Sequence, residues 1–194
     1  MSVCPKDIGS FCAYWQKGPR SRKASAIMAN TMELKQQIRQ GDYDTAFAKL
    51  YGADVDAAAQ RERYISLLDQ FEKEFGAERT VRLYSAPGRT EIGGNHTDHN
   101  HGRVLAGSVN LDVIAVARPV PGGVRVQSEG YPMDVVSLDR LEPVEEEKNR
   151  SASLIRGTAA RFRQLGYEIG GFDAYTASDV LRGSGLSSSA AFEM

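Results

Sequence analysis

Two stretches of this 194-residue chain carry side chains suited to chemistry. In residues 85–102, Arg89 follows Pro87 and Gly88, so a fixed positive charge leaves a stiff turn, and Asn95, His96, Thr97 and Asp98 then stand in a row. Adjacent donors and acceptors of this kind can hold sugar hydroxyls, and an aspartate accepting from two neighbouring hydroxyls also sets their orientation. The second stretch, residues 181–191, contains Gly183, Ser184, Gly185, Leu186 and the serines Ser187, Ser188 and Ser189. Glycines admit a phosphate close to the backbone, and the first amides of a helix favour an anion. A serine hydroxyl there can also ligate Mg²⁺. The Walker pattern fails for want of a lysine, and the dinucleotide pattern G-x-G-x-x-G fails at Ser188. His96, His99 and His101 beside Asp98 invite a metal reading, but no zinc-ligand spacing is present, so His99 and His101 are read as loop residues that face solvent or support the turn.

Regular elements must hold both stretches. A short strand is expected over 80–84, before the first stretch, and another from 104 onward with alternation over 110–120. The first stretch is therefore expected to be a polar, glycine-broken loop fixed between strands. Pro121, Gly122 and Gly123 form a turn, and residues 124–128 alternate as a hairpin partner for the strand before it. Residues 132–138 make an edge strand, 171–177 another strand, and 183–191 a turn entering a helix. Upstream, helices are expected over 32–40, stopped by Gly41; over 43–51, capped by Asp42; and from an Asp54 cap to Phe75. The last shows one apolar face of Tyr64, Leu67, Leu68, Phe71 and Phe75. These helices are read as packing elements without chemistry. Residues 151–165 are amphipathic, with Leu154, Ile155, Ala159, Phe162 and Leu165 inward, and Glu145, Glu146 and Glu147 before them read as a solvated loop.

The composition, 41% hydrophobic and 25% charged with a net charge of −1, is that of a soluble globular domain. Near-neutral charge argues against nucleic acid as partner, and no apolar run approaches the roughly 20 residues of a membrane helix. Cys4 and Cys12 do not make a disulfide framework, so a reducing, cytoplasmic setting is expected. Residues 1–27 are basic and without period. They are read as a disordered tail, or as sequence upstream of a true start at Met28 or Met32, rather than as a targeting peptide. Residues 28–76 form a helical N-terminal extension and 77–194 one lobe. Helices, then strands, then helix, strand, glycine turn and helix make an α+β domain. The helix opened near Ser189 has little sequence after it, so the chain is expected to be a fragment.

Pro87-Gly88-Arg89-Thr90-Glu91-Ile92-Gly93-Gly94-Asn95-His96-Thr97-Asp98-His99-Asn100 resembles, without a gap, the galactokinase signature P-G-R-V-N-L-I-G-E-H-T-D-Y-N. Residues 183–191 resemble the second motif of the same superfamily, the GHMP small-molecule kinases. The resemblance covers residues 67–194 and implies the N-terminal lobe of such a kinase (ribosomal protein S5 domain 2-like), a mixed, mostly antiparallel sheet with packed helices. It implies ATP-dependent phosphorylation of galactose at the 1-hydroxyl by a monomeric enzyme, with ATP and Mg²⁺ as cofactors. Arg89 would stabilise the transferring phosphoryl group, and Asn95, His96, Thr97 and Asp98 would line the sugar pocket. Gly183, Ser184, Gly185, Leu186, Ser187, Ser188 and Ser189 would wrap the phosphates, with Ser189 on Mg²⁺. Three positions depart from the pattern: Asn95 for glutamate, His99 for tyrosine and Leu181 for proline. The first bears on sugar selectivity. The family's catalytic aspartate and second Mg²⁺ ligand would lie beyond Met194, so the chain alone is expected to be inactive. The alternatives are a non-catalytic galactose- and ATP-binding regulator of the same family and a kinase for a related sugar such as N-acetylgalactosamine. A dinucleotide-binding oxidoreductase is disfavoured by the broken glycine pattern.

Overall fold

The computed structural model describes residues 29–94, 103–180, 186 and 191–192. After a two-residue strand β1 (Ala29–Asn30), helix α1 (Thr31–Gln40) starts where the Asn30 side chain accepts the Met32 amide at 2.9 Å. It stops at Gly41, whose left-handed φ of 87° returns its N–H to the carbonyls of Gln37 and Ile38. Helix α2 (Asp44–Tyr51) begins later than expected. No side chain caps it, so Asp42 does not have that role, and the Asp44 carboxylate instead accepts from Arg61 Nε at 2.8 Å. The cap of α3 (Ala57–Phe75) is Asp56, not Asp54, accepting from the amides of Ala58 and Ala59 at 3.0 and 3.1 Å. The cause is local: a turn closed by the Val55 amide on the Gly52 carbonyl takes up the residues in between. The expected apolar face of α3 is buried, with Ile65 added.

The strands β2 (Thr80–Gly93), β3 (Leu105–Val120), β4 (Gly123–Ser128), β5 (Asp134–Ser137) and β6 (Gly171–Ser178) join β1 in a mixed sheet of order β1-β2-β3-β6-β4-β5. Only β4 with β6 is parallel among these pairs. The expected hairpin of β3 with β4 is therefore not formed, because β6 lies between them. Glycine permits the insertion: a Cβ on Gly171 would stand 2.2 Å from the Gly123 carbonyl oxygen and 2.7 Å from that of Val120. Charge secures it. Asp173 of β6, with no exposed surface, accepts from Arg118 of β3 (Nη2–Oδ2 2.7 Å) and Arg125 of β4 (Nε–Oδ1 2.7 Å). Arg125 also lies over the Phe75 ring, 5.3 Å from its centroid.

The two faces of the sheet carry separate cores. On one, α1 and α3 bring Leu34, Ile38, Leu68 and Phe71 onto Val81, Ile114, Val116 and Tyr175. On the other, α4 (Ser151–Gln164) brings Ala152, Ile155 and Ala159 to Val124, Val126, Val136 and Ala174. Cross-strand register explains the division, since Val116 faces Tyr175 while its neighbour Ala117 faces Ala174. Leu154 and Leu165 are exposed, contrary to expectation. The buried inward position belongs to Arg156, whose guanidinium donates to Glu147 at 2.6 and 2.7 Å, so the acidic run is not wholly solvated: it forms a 3₁₀ turn (Glu145–Glu147) pinned at its end. Among the described residues no helix is long and apolar enough to cross a membrane.

Burial raises the Asp173 pKa, but the hydrogen bonds and charges of Arg125 and Arg118 outweigh it and hold the carboxyl below its usual range. A depressed folded pKa gives stability that is complete above the unfolded value of about 3.9 and is lost as pH falls through the folded one. Asp173→Asn is expected to cost about 3–5 kcal/mol in urea unfolding at pH 7, by leaving two arginines uncompensated. The gap from the wild type should narrow below about pH 4, as the wild-type carboxyl protonates.

Candidate active site

The first chemical stretch is not a loop throughout. β2 continues to Gly93, and it does so by two irregularities against β3. Pro87 pairs with Asp112 and Arg89 with Ser108, so Gly88 alone stands opposite Val109, Asn110 and Leu111. A second shift lies between Glu91 and Gly93. Bulges of this kind let a strand pass a proline, which cannot donate to the ladder, and re-aim the side chains beyond it. Arg89 consequently leaves a paired strand, with its side chain exposed.

At this bulge the two motifs meet. The Arg89 amide donates to the Leu186 carbonyl at 3.1 Å, a bond from the Pro-Gly-Arg turn directly into the glycine–serine run. Gly88 is buried, and a Cβ on it would lie 3.1 Å from the Leu186 oxygen, 3.2 Å from Val180 Cγ2 and 3.3 Å from Val109 Cγ2. The structure thus brings Arg89 and Leu186 together through their backbones. Asn95, His96, Thr97, Asp98, His99, His101, Gly183, Ser184, Gly185, Ser187, Ser188 and Ser189 lie outside the described residues. Among the described residues, no three His, Cys, Asp or Glu side chains converge as a metal group would require.

A polar cluster underlies the junction, and sequence reading missed it. Asp112 of β3, 2% exposed, accepts from Tyr51 at 2.7 Å and from the Ser85 hydroxyl, while Arg63 Nη1 of α3 stands 2.7 Å from its other oxygen. Tyr51 in turn shares a 2.8 Å hydroxyl contact with Tyr64. Arg63 also donates to the Asp112 carbonyl at 3.2 Å and pairs with Asp179 at 2.9 Å, and the Asp179 amide donates to that same carbonyl at 3.0 Å. Burial opposes the charge on Arg63, and the hydrogen bond and field of Asp112 more than offset it, so its pKa is raised. Burial, then the contacts with Tyr64 and Asp112, push the Tyr51 phenol up, and burial does the same for Tyr64. Both phenols stay neutral at physiological pH. With its oxygens engaged by Tyr51, Ser85 and Arg63, Asp112 is an anchor rather than a base. The available signal was an acid inside an apolar strand run, Val109 to Val116.

Residues 69–119 match the family model described as the galactokinase galactose-binding signature, a span that includes Arg89 and Asn95 to Asp98. The chain is 37% identical over 131 residues to the galactokinase of Roseiflexus sp. (strain RS-1), covering 66% of this chain and 32% of that one. It is 30% identical over 132 residues to the galactokinase of Lactococcus lactis subsp. lactis (strain IL1403), covering 66% and 33%. The crystal structure of Lactococcus lactis galactokinase complexed with galactose aligns with a TM-score of 0.61 at 30% identity, over 68% of this chain and 34% of that one. The α+β lobe expected from sequence is the one observed, and the chain spans 32% and 33% of the two curated relatives.

The Gly88 contacts give a direct check on the junction. Gly88→Ala should force Leu186 and Val180 away and cost about 1–3 kcal/mol, the usual range for overpacking, in a urea-unfolding comparison with the wild type.

Proposed function

We propose that this chain, related to the galactokinases in sequence and lobe fold, is the sugar-binding portion of an enzyme that phosphorylates galactose at its 1-hydroxyl. The observation that carries this reading is the Arg89 amide on the Leu186 carbonyl, which ties the sugar motif to the phosphate motif at one point. Phosphoryl transfer depends on positioning and charge neutralisation more than on covalent chemistry, and two motifs in backbone contact suit that demand. Asp98 is assigned to the ring hydroxyls, Asn95 and His96 to the neighbourhood of the 6-hydroxyl, and Thr97 to the pocket wall. Arg89 is assigned to the oxygens of the phosphoryl group in transfer. Its exposure on a rigid bulged strand supports that role, because a fixed charge need not reorganise as the reaction proceeds. Residues 183–189 are assigned to the nucleotide phosphates and Ser189 to Mg²⁺. Bound ATP supplies the phosphoryl group and Mg²⁺ neutralises its oxygens. A buried glycine at 88, with no room for a Cβ beside Leu186, supports a junction held at close range.

The test uses the full-length protein, because the chain spans about a third of its curated relatives. ADP release should depend on galactose and exceed that with glucose or N-acetylgalactosamine. Asp98→Ala should reduce kcat/KM for galactose by about 100-fold or more, as expected on losing an orienting charged contact. Arg89→Ala should lower kcat by about 100- to 1,000-fold with little change in KM, the mark of a contact made in the transition state. Preference for another sugar overturns the substrate assignment, and unchanged turnover in Arg89→Ala overturns the role of that arginine.

A further inference from the structure

The kinase reading uses Arg89 but leaves unexplained why a helix far from both motifs sends an arginine beneath them. Arg63 reaches three oxygens: it pairs by charge with Asp112 Oδ1 at 2.7 Å and with Asp179 Oδ2 at 2.9 Å, and it donates a hydrogen bond to the Asp112 carbonyl at 3.2 Å. Asp112 is the cross-strand partner of Pro87, which lies two residues before Arg89. Asp179 immediately precedes Val180, whose side chain packs against Gly88. One guanidinium therefore joins β3, at the residue paired with Pro87 of the strand that carries Arg89, to the segment leaving β6. Ser85 and Tyr51 fix the other oxygen of Asp112, so the carboxylate cannot swing away from the bridge. The Ser178 hydroxyl accepts the Val180 amide at 3.1 Å, which stiffens the same exit from β6.

We propose that Arg63 is a positioning residue which, by joining Asp112 to Asp179, sets the Arg89–Leu186 contact. The effect on catalysis rests on the kinase reading, whereas the effect on that contact does not. An arginine fork can serve three acceptors at fixed angles, and a lysine, as a point charge, cannot. Arg63→Lys therefore keeps a cation opposite buried Asp112 while dismantling the bridge. Asp179→Asn weakens only the outer end, at a side chain 49% exposed, and leaves the Arg63–Asp112 pair in place.

The experiment compares both variants with wild type, as full-length protein, by residue-resolved amide exchange and steady-state kinetics. In each, the amide of Arg89 should exchange about tenfold faster, as should that of Asp179 in Arg63→Lys, while amides across the β3–β6 ladder stay within about twofold, because opening is local. The kcat for galactose phosphorylation should fall about tenfold with KM for galactose within about twofold, since the group displaced acts on the transferring phosphoryl. Exchange that rises evenly through β3 and β6 in both variants shows a merely structural residue and overturns the proposal. So does unchanged exchange at Arg89. If wild-type protein releases no ADP with any sugar, the kinase reading fails and the exchange result alone decides the positioning role.

Discussion

A buried carboxylate demands partners, and Asp112 draws them from three elements. Its Coulomb and hydrogen-bonding needs are met by Arg63 of α3, Tyr51 of α2 and Ser85 of β2, while its own strand, β3, carries the ladder to β2 and β6. Charge left unpaired at 2% exposure would be strongly unfavourable, so helices and sheet must adopt one relative placement to satisfy it. Apolar packing alone tolerates small slides between helix and sheet; a multidentate ion pair with two hydroxyl donors tolerates fewer. The α1–α3 segment is in this sense part of the site's foundation, sharing a core with β2, β3 and β6.

The second determinant is the placement of β6. It contributes Tyr175 to one core and Ala174 to the other, and its Asp173 holds arginines from both flanking strands. Its exit residue Asp179 returns an amide to Asp112. The strand that closes the sheet is thus also the one that delivers the glycine–serine segment to Arg89.

Local chemistry made much of this readable in the sequence. Gly41 and Gly76 end helices where a glycine after an apolar-periodic run should, and the apolar face of α3 follows from spacings of three and four. Both motif stretches stand out by residue type, and one residue from each, Arg89 and Leu186, share a backbone hydrogen bond. What escaped was non-local. Asp54 and Asp56 are equally good caps on paper, and only the Gly52–Val55 turn decides between them. Pro87 argued for a loop because a bulge opposite three β3 residues leaves no trace in the β2 sequence. A leucine outranked an arginine as a core residue of α4 until Glu147 folded beneath Arg156. Asp112 and Arg63 lie 49 positions apart, and neither advertises the other. The residues from 95 to 98 were the most informative in the sequence, and they lie outside the described structure.

The strand order makes β6 the joint between two parts of the sheet that are paired locally along the chain. β2 with β3, and β4 with β5, are pairs of neighbours along the chain, so each can zip through short loops. Neither pair touches the other directly in the sheet; both are joined through β6, which starts 43 positions after β4 ends. Without residues 171–178 neither core is complete, and Arg118 and Arg125 lack the acid they share. Like charges on β3 and β4 would repel, and Asp173 between them turns that repulsion into attraction. Leu186, whose carbonyl meets the Arg89 amide, comes after that same strand, β6, in the chain.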